Sequence, residues 1–332
     1  MLASPHAARR TKLGRTVLAS LVAACLLVAC SGKDEEPVTA DELRSDLAQR
    51  VAERGAAGVS GVGVGSKGTA SATLQIGDTY TTFGSVAGKG NEQTEDRFMF
   101  GHKAADQLPL QQVIDAATTT VSSCEALGET RGTGAAELVV APQGQVIISR
   151  ICTPSAADVV VGQSLDGKDL PELGQVDEQK TLAQVMGEYQ SLLRASDKTV
   201  GLKISYGPGV LGPVPPGIQV FGPQATNAGR KCYPSVKHTH LKVKEGDPGT
   251  GLSLPCEEFG VHDDSANNIA FGVSEAPAAK IAAVLEKLHQ KVPRDEVRNA
   301  TVSKTPQGEI VVQVVGEKSS AALTIDGRTP KG

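Results

Sequence analysis

The sequence predicts an α+β protein of two related halves, each with mainly antiparallel strands and helices packed on one face. Three observations carry this. Apolar residues recur at helical spacing in four separate segments, and short β-rich runs joined by Gly and Pro turns lie between them. The segment 141–162, APQGQVIISRICTPSAADVVVG, also aligns without a gap with 305–326, TPQGEIVVQVVGEKSSAALTID. Short adjacent strands on tight turns favour antiparallel pairing, with helices covering one face.

The first half, 39–165, opens with a helix. Thr39-Ala40-Asp41-Glu42 is a capping box, Leu43, Leu47 and Val51 form the apolar stripe, and Gly55 is the stop. Strand-like residues follow near 59–65 and 72–83. A second helix over 110–121 is carried by Leu110, Val113, Ile114, Ala117 and Val121. A hairpin then turns at Pro142-Gln143-Gly144 and leads to a third strand. In that turn Pro fixes φ and Gly takes the conformation other residues resist. The boundary between halves falls in the polar, Gly-rich stretch Gly162 to Gly174.

The second half, 175–328, repeats the order. Leu182, Val185, Met186, Tyr189 and Leu193 mark a helix, and strands follow over 199–206 and 217–221. Ile281, Val284, Leu285 and Leu288 mark another helix over 278–290, with Ser274 expected as its N-cap. Pro306-Gln307-Gly308 turns the second hairpin. Gapless alignment pairs Val146 and Ile148 with Ile310 and Val312, and Val159 and Val161 with Leu323 and Ile325. It also sets Cys152 against Gly316.

Arg9, Arg10, Lys12 and Arg15 form a basic head, followed by an apolar run from Thr16 to Ala29. That run is shorter than the roughly 20 residues a spanning helix needs and suits the apolar region of an export signal. It ends in Leu27-Val28-Ala29-Cys30, followed by Ser31-Gly32-Lys33-Asp34-Glu35-Glu36. An aliphatic residue, small residues and then Cys at the apolar-to-polar boundary resemble the lipobox of bacterial lipoproteins. The resemblance implies removal of 1–29, a lipid on Cys30, and a protein held on the outer face of a membrane. A rival at Val22-Ala23-Ala24-Cys25 would leave Leu26 to Ala29 as an apolar stub. Residues 30–38 then read as an acidic tether.

The chain carries 33 basic and 37 acidic residues. Removing the four basic leader residues leaves 29 against 37, a net charge of −8. An acidic body is a poor partner for nucleic acid, which is held mainly by phosphate neutralisation. Tryptophan is absent and aromatics are 3% of the chain, so the cores rest on Val, Ile, Leu and Ala. Beyond the leader the cysteines are Cys30, Cys124, Cys152, Cys232 and Cys256. The last four read as two disulfides, consistent with export. Four cysteines allow three pairings. Proximity within each half favours Cys124–Cys152 and Cys232–Cys256.

Familiar chemical motifs fail on context. Gly63-Val64-Gly65-Ser66-Lys67-Gly68 fits G-x-G-x-x-G, but a dinucleotide site needs that turn between a strand and a helix. Here a helix precedes it and strand residues follow. Gly84 to Gly90 with Lys89 lacks P-loop spacing, and there is no G-x-S-x-G elbow. His238 and His240 share one side of a strand. With His262 and a carboxylate they have the composition of a zinc site. Against this, the side carrying His238, His240, Lys242 and Lys244 reads as a solvated sheet face whose lysines repel a cation.

Three functional classes therefore stand. The first is a non-catalytic lipoprotein holding a protein or small-molecule ligand near the membrane, without nucleic acid and without a cofactor. The second is a metal-binding protein or metal-dependent hydrolase using the three histidines. The third is a hydrolase whose residues are dispersed in sequence.

Overall fold

The backbone uses one supersecondary unit twice: a helix, a three-strand meander, a second helix and a second meander. A computed structural model describes residues 38–84, 92–95, 98–126, 133–153, 159–193, 197–207, 215–227, 229–241 and 249–331. The leader, Cys30, the tether up to 37, Lys242 and Lys244 lie outside the described residues.

In the first half, α1 (Ala40–Arg54) leads into β1 (Gly58–Gly65), β2 (Ala70–Ile76), β3 (Thr79–Gly84) and the short β4 (Glu92–Glu95). Helix α2 (Leu110–Ala126) follows, then β5 (Thr133–Val140), β6 (Val146–Thr153), β7 (Val159–Leu165) and β8 (Lys168–Asp169). Their sheet runs β4-β3-β2-β1-β5-β6-β7-β8, antiparallel throughout.

In the second half, α3 (Gln179–Leu192) precedes β9 (Lys198–Thr199), β10 (Gly201–Ser205), β11 (Gly217–Phe221), β12 (Ala225–Asn227) and β13 (Arg230–Thr239). The short strands β14 (Leu252–Ser253), β15 (Cys256–Glu257) and β16 (Phe271–Gly272) lead to α4 (Ala278–His289), then β17 (Val297–Lys304), β18 (Ile310–Gly316) and β19 (Ser320–Thr324). This sheet runs β12-β13-β11-β10-β17-β18-β19, with β14 and β15 on β13. The shared core is therefore β3-β2-β1-β5-β6-β7 in one half and β13-β11-β10-β17-β18-β19 in the other.

Local chemistry explains the ends. Thr39 caps α1 and Glu42 reaches back to its backbone, so both members of the box are present. Those Thr39 hydrogen bonds hold the Glu42 carboxyl below its ordinary pKa. Gly55 closes the helix at φ 60°, a left-handed conformation that costs Gly little. The N-cap of α4 is Pro277, not Ser274, which sits in a preceding 3₁₀ turn. Pro277 supplies an extended φ without needing a donor. The run near 72–83 is two strands rather than one, because Gly77 at φ 58° turns the chain between β2 and β3.

The two Pro-Gln-Gly hairpins are geometrically alike. Ala141 N–H donates to Gln145 O and Gly144 N–H to Ala141 O, at 2.8 and 2.7 Å. Thr305 donates to Glu309 O and Gly308 to Thr305 O, both at 2.8 Å. Gly144 and Gly308 have φ 92° and 87°. Val140 faces Val146 as Lys304 faces Ile310. Val146, Ile148, Ile310 and Val312 are all buried, as gapless alignment requires.

The third strands depart from that alignment. Ile147 pairs with Leu165, but its counterpart Val311 pairs with Thr324. The first excursion is therefore longer, and Ser164 rather than Val159 occupies the position of Leu323. A register irregularity between Arg150 and Ile151 shifts the ladder, so Val160 is buried while Val159 and Val161 are half-buried. Strand β7 also runs through Gly162 to Leu165, so the joint between halves begins later than Gly162.

Helices α1 and α2 cover the inner face of the first sheet through Leu43, Leu47, Leu110 and Val113, against Val62, Leu74 and Leu138. Helices α3 and α4 do the same in the second half through Leu182, Val185, Leu285 and Leu288, against Leu202, Val220 and Val312. Disulfides join Cys124 to Cys152, tying α2 to β6, and Cys232 to Cys256, tying β13 to β15. No described helix is long and apolar enough to cross a membrane.

Candidate functional site

The outer faces of the two sheets, away from the helices, differ. On the first sheet the outward residues of β2 and β3 are small and polar, yet Ser71, Thr73 and Thr82 are almost wholly buried. Thr73 and Thr82 satisfy each other across the strands at 2.8 Å. Tyr80 packs edge-on against Phe100, which stacks with Phe98, and the Tyr80 hydroxyl donates to Phe100 O. That segment also binds the second half. Met99 N–H donates to Leu254 O at 2.9 Å, and the Asn227 amide donates to Phe98 O at 2.8 Å.

The second half also covers β6 and β7. Ile147 joins the second-half core, and the buried Gln163 amide bonds Leu252 through both its donor and its acceptor, at 2.9 and 2.7 Å. At the hairpin, Gln143 and Gln145 donate to Leu193 O and Ser191 O, satisfying carbonyls at the end of α3.

Among the described residues, no comparable segment covers the outer face of the second sheet. A groove of about 690 Å³ runs across β10, β11, β13, β17 and β18, within the size range of ligand sites. Its polar lining includes Lys203, Gln219, Lys237, Asn299 and Thr301, and Val261 and Pro215 add apolar wall. Arg298 and Glu317 pair with each other on its rim. The lining contains hydroxyls at Ser205, Thr239 and Thr301 but no histidine. Thr239 is committed, accepting backbone N–H bonds from Thr250 and Gly251.

The only large hydrophobic side chain that is exposed among the described residues, Phe259, belongs to the loop that carries Val261. That loop is braced. Cys256 anchors its base, and Asn268 accepts from His262 N–H and donates to His262 O.

The sheet separates His238 from His262. Ile204, Ile218 and His238 form one cross-strand row on the inner face. His238 is 3% exposed, and its Nδ1 lies 2.8 Å from an oxygen of the buried Glu188 on α3. Gln184 donates to the other Glu188 oxygen at 3.0 Å. The expected solvated face is therefore the buried one, because α3 lies over it and supplies a carboxylate. His240 donates from Nε2 to Gly174 O at 3.1 Å. His262 lies on the groove side, where burial and the nearby Lys203 charge lower its pKa. Among the described residues no group of three or more His, Cys, Asp and Glu side chains is placed to hold a metal ion.

A signal for His238 existed in the sequence. Glu188 sits three residues after Val185 and four before Leu192, on the apolar stripe of α3. A carboxylate there requires a buried partner.

A second polar cluster lies within the second half and ties the segment before α3 to the end of α4. Arg294 grips Asp177 with Nε and a terminal nitrogen, and His289 Nε2 lies 3.0 Å from the same carboxylate. The Tyr206 hydroxyl is 3.3 Å from His289, and burial raises its pKa. The cluster borders a hollow of about 500 Å³ between α3 and α4. Both Asp177 oxygens are engaged by Arg294, which leaves the carboxylate poorly suited to act as a general base.

No known protein family matches the chain, and no curated protein is similar to it.

Proposed function

We propose that this protein is an extracytoplasmic lipoprotein, anchored through Cys30, that binds a ligand in the open groove of its second sheet and does not act on it chemically. The carrying observation is the contrast between two sheets of the same strand order. One outer face is filled by the Phe98–Phe100 segment and the second half, whereas among the described residues the other borders a groove of about 690 Å³. The lining favours binding over catalysis, since its residues include no histidine and the acid among them, Glu317, pairs with Arg298.

The leader, the lipobox-like Leu27-Val28-Ala29-Cys30 and the two disulfides support export to an oxidising compartment. The acidic residues after Cys30 act as a spacer that holds the body off an anionic surface. The same strand order and the matching Pro-Gln-Gly turns support an origin by internal duplication.

The test has two parts. Cys30→Ala should leave the membrane fraction or remain unprocessed, and mass spectrometry should place the wild-type N-terminus at a lipid-modified Cys30. Native mass spectrometry of the protein purified from its own membranes should then find a bound small molecule that Thr301→Trp, which fills the groove, no longer retains. A cleaved N-terminus elsewhere overturns the anchor. A groove-filled variant that keeps the ligand overturns the site.

A further inference from the structure

We propose that the groove holds its ligand by an oxyanion group, a carboxylate or a phosphate, seated between Lys203 and Lys237. This rests on the groove being the binding surface and adds the chemistry of its occupant.

Strand register comes first. Lys237 lies opposite Gln219, Gln219 opposite Lys203, and Lys203 opposite Thr301. Directly opposed residues share a face, so the four side chains form one transverse row on the outer side. With strands about 4.8 Å apart, the two lysine backbones stand about 10 Å apart across β11. Two four-carbon stems at that separation reach a common anion and deliver ammonium donors from opposite sides.

The state of the lysines supplies the second observation. The Lys203 ammonium lies 5.4 Å from the centre of the Phe221 ring. Among the described residues neither Lys203 nor Lys237 has a carboxylate within the 4.0 Å of an ion pair. Lys203 is half-buried, and burial lowers its pKa, with Asp263 and Glu257 opposing that from longer range. Glu257 also accepts from Gln219, and Glu317 is taken by Arg298. A partly desolvated ammonium without a hydrogen-bonded counter-charge is unfavourable. An oxyanion entering the groove supplies that counter-charge through charge-assisted hydrogen bonds.

The first sheet provides an internal comparison. Matching the two Pro-Gln-Gly hairpins sets Thr301 against Glu137. The corresponding row there is Gly84, Ser71, Gly63 and Glu137, which carries no cation. The lysine pair thus belongs only to the face that borders the groove.

The experiment is isothermal titration calorimetry of the full chain in nonionic detergent with succinate and with pyrophosphate, which separate carboxylate from phosphate recognition. One of them should bind with a single site. Lys203→Met should weaken it about tenfold or more, and Lys237→Met by a smaller factor, because each removes charge-assisted bonds. Lys231→Met, an exposed position on β13 outside the groove, should leave binding unchanged. Circular dichroism should show all three variants folded. Absence of binding by both anions overturns the inference, as does binding that survives in Lys203→Met. If the ligand co-purified from membranes is displaced by Thr301→Trp but retained by Lys203→Met, the groove stands and the oxyanion assignment falls.

Discussion

Removing the Glu188 carboxylate should destabilise the second half severely, whereas replacing Glu188 and His238 together by apolar residues should not. Glu188 is 8% exposed and His238 3%, and the 2.8 Å contact joins α3 to the inner face of β13. Glu188→Ala leaves one His238 nitrogen and the Gln184 amide without their acceptors and opens a void beneath α3. Each buried group orphaned in this way costs about 1–3 kcal/mol, and the void beneath α3 adds to that cost. With two groups orphaned, the expected loss is about 3–4 kcal/mol for Glu188→Ala.

Glu188→Leu combined with His238→Phe removes both polar groups at nearly constant volume and should come within about 1 kcal/mol of the parent. Urea denaturation followed by far-UV circular dichroism, with disulfides intact, gives the four corners of the cycle. Strictly additive single costs, or a Glu188→Ala loss below about 1 kcal/mol, would refute the reasoning. Zinc added to the parent should not shift its denaturation midpoint, because His238 is turned away from His262. A specific shift abolished by His238→Ala would restore a metal-binding role.

Three further outcomes can be checked. Gly144→Ala and Gly308→Ala should each cost about 1–2 kcal/mol, because an L-residue is strained at those positive φ values. Their penalties should match, since no side-chain clash intervenes beyond one Lys103 carbon 4.0 Å from Gly144; a harmless substitution at either turn refutes this. Reduction of either disulfide, which close 28- and 24-residue separations, should cost about 3.5 kcal/mol by chain entropy. Non-reducing peptide mapping should return only 124–152 and 232–256 pairs from the folded body. Lys203→Met should raise the thermal midpoint at neutral pH. The folded pKa of Lys203 is lowered, so its charged form is disfavoured by folding. That penalty is fully present below the folded pKa and fades as pH rises toward the unfolded value, so the advantage of Met should shrink near pH 10.

Periodicity and turn chemistry were enough for the local architecture. The Thr39 box, the apolar stripes of all four helices and the Pro-Gln-Gly turns are short-range features, written in residues that touch within a few positions. The disulfide pairs were legible for a related reason, since nearby cysteines face low loop-closure entropy. Register beyond the second strand was not legible. The irregularity at Arg150 and Ile151 and the longer excursion to β7 depend on what packs against that edge. Which side of β13 is buried was equally hidden. Alternation fixed that His238 and Lys237 point apart, but only the docking of α3, with Glu188 facing His238, decided which side is interior. The unequal fate of the two outer faces is a tertiary fact as well. Two sheets of the same order differ because Phe98–Phe100 and the second half occupy one face, whereas Lys203 and Lys237 line the groove on the other. Local sequence sets which residues alternate, and long-range packing sets which of the alternate faces meets water.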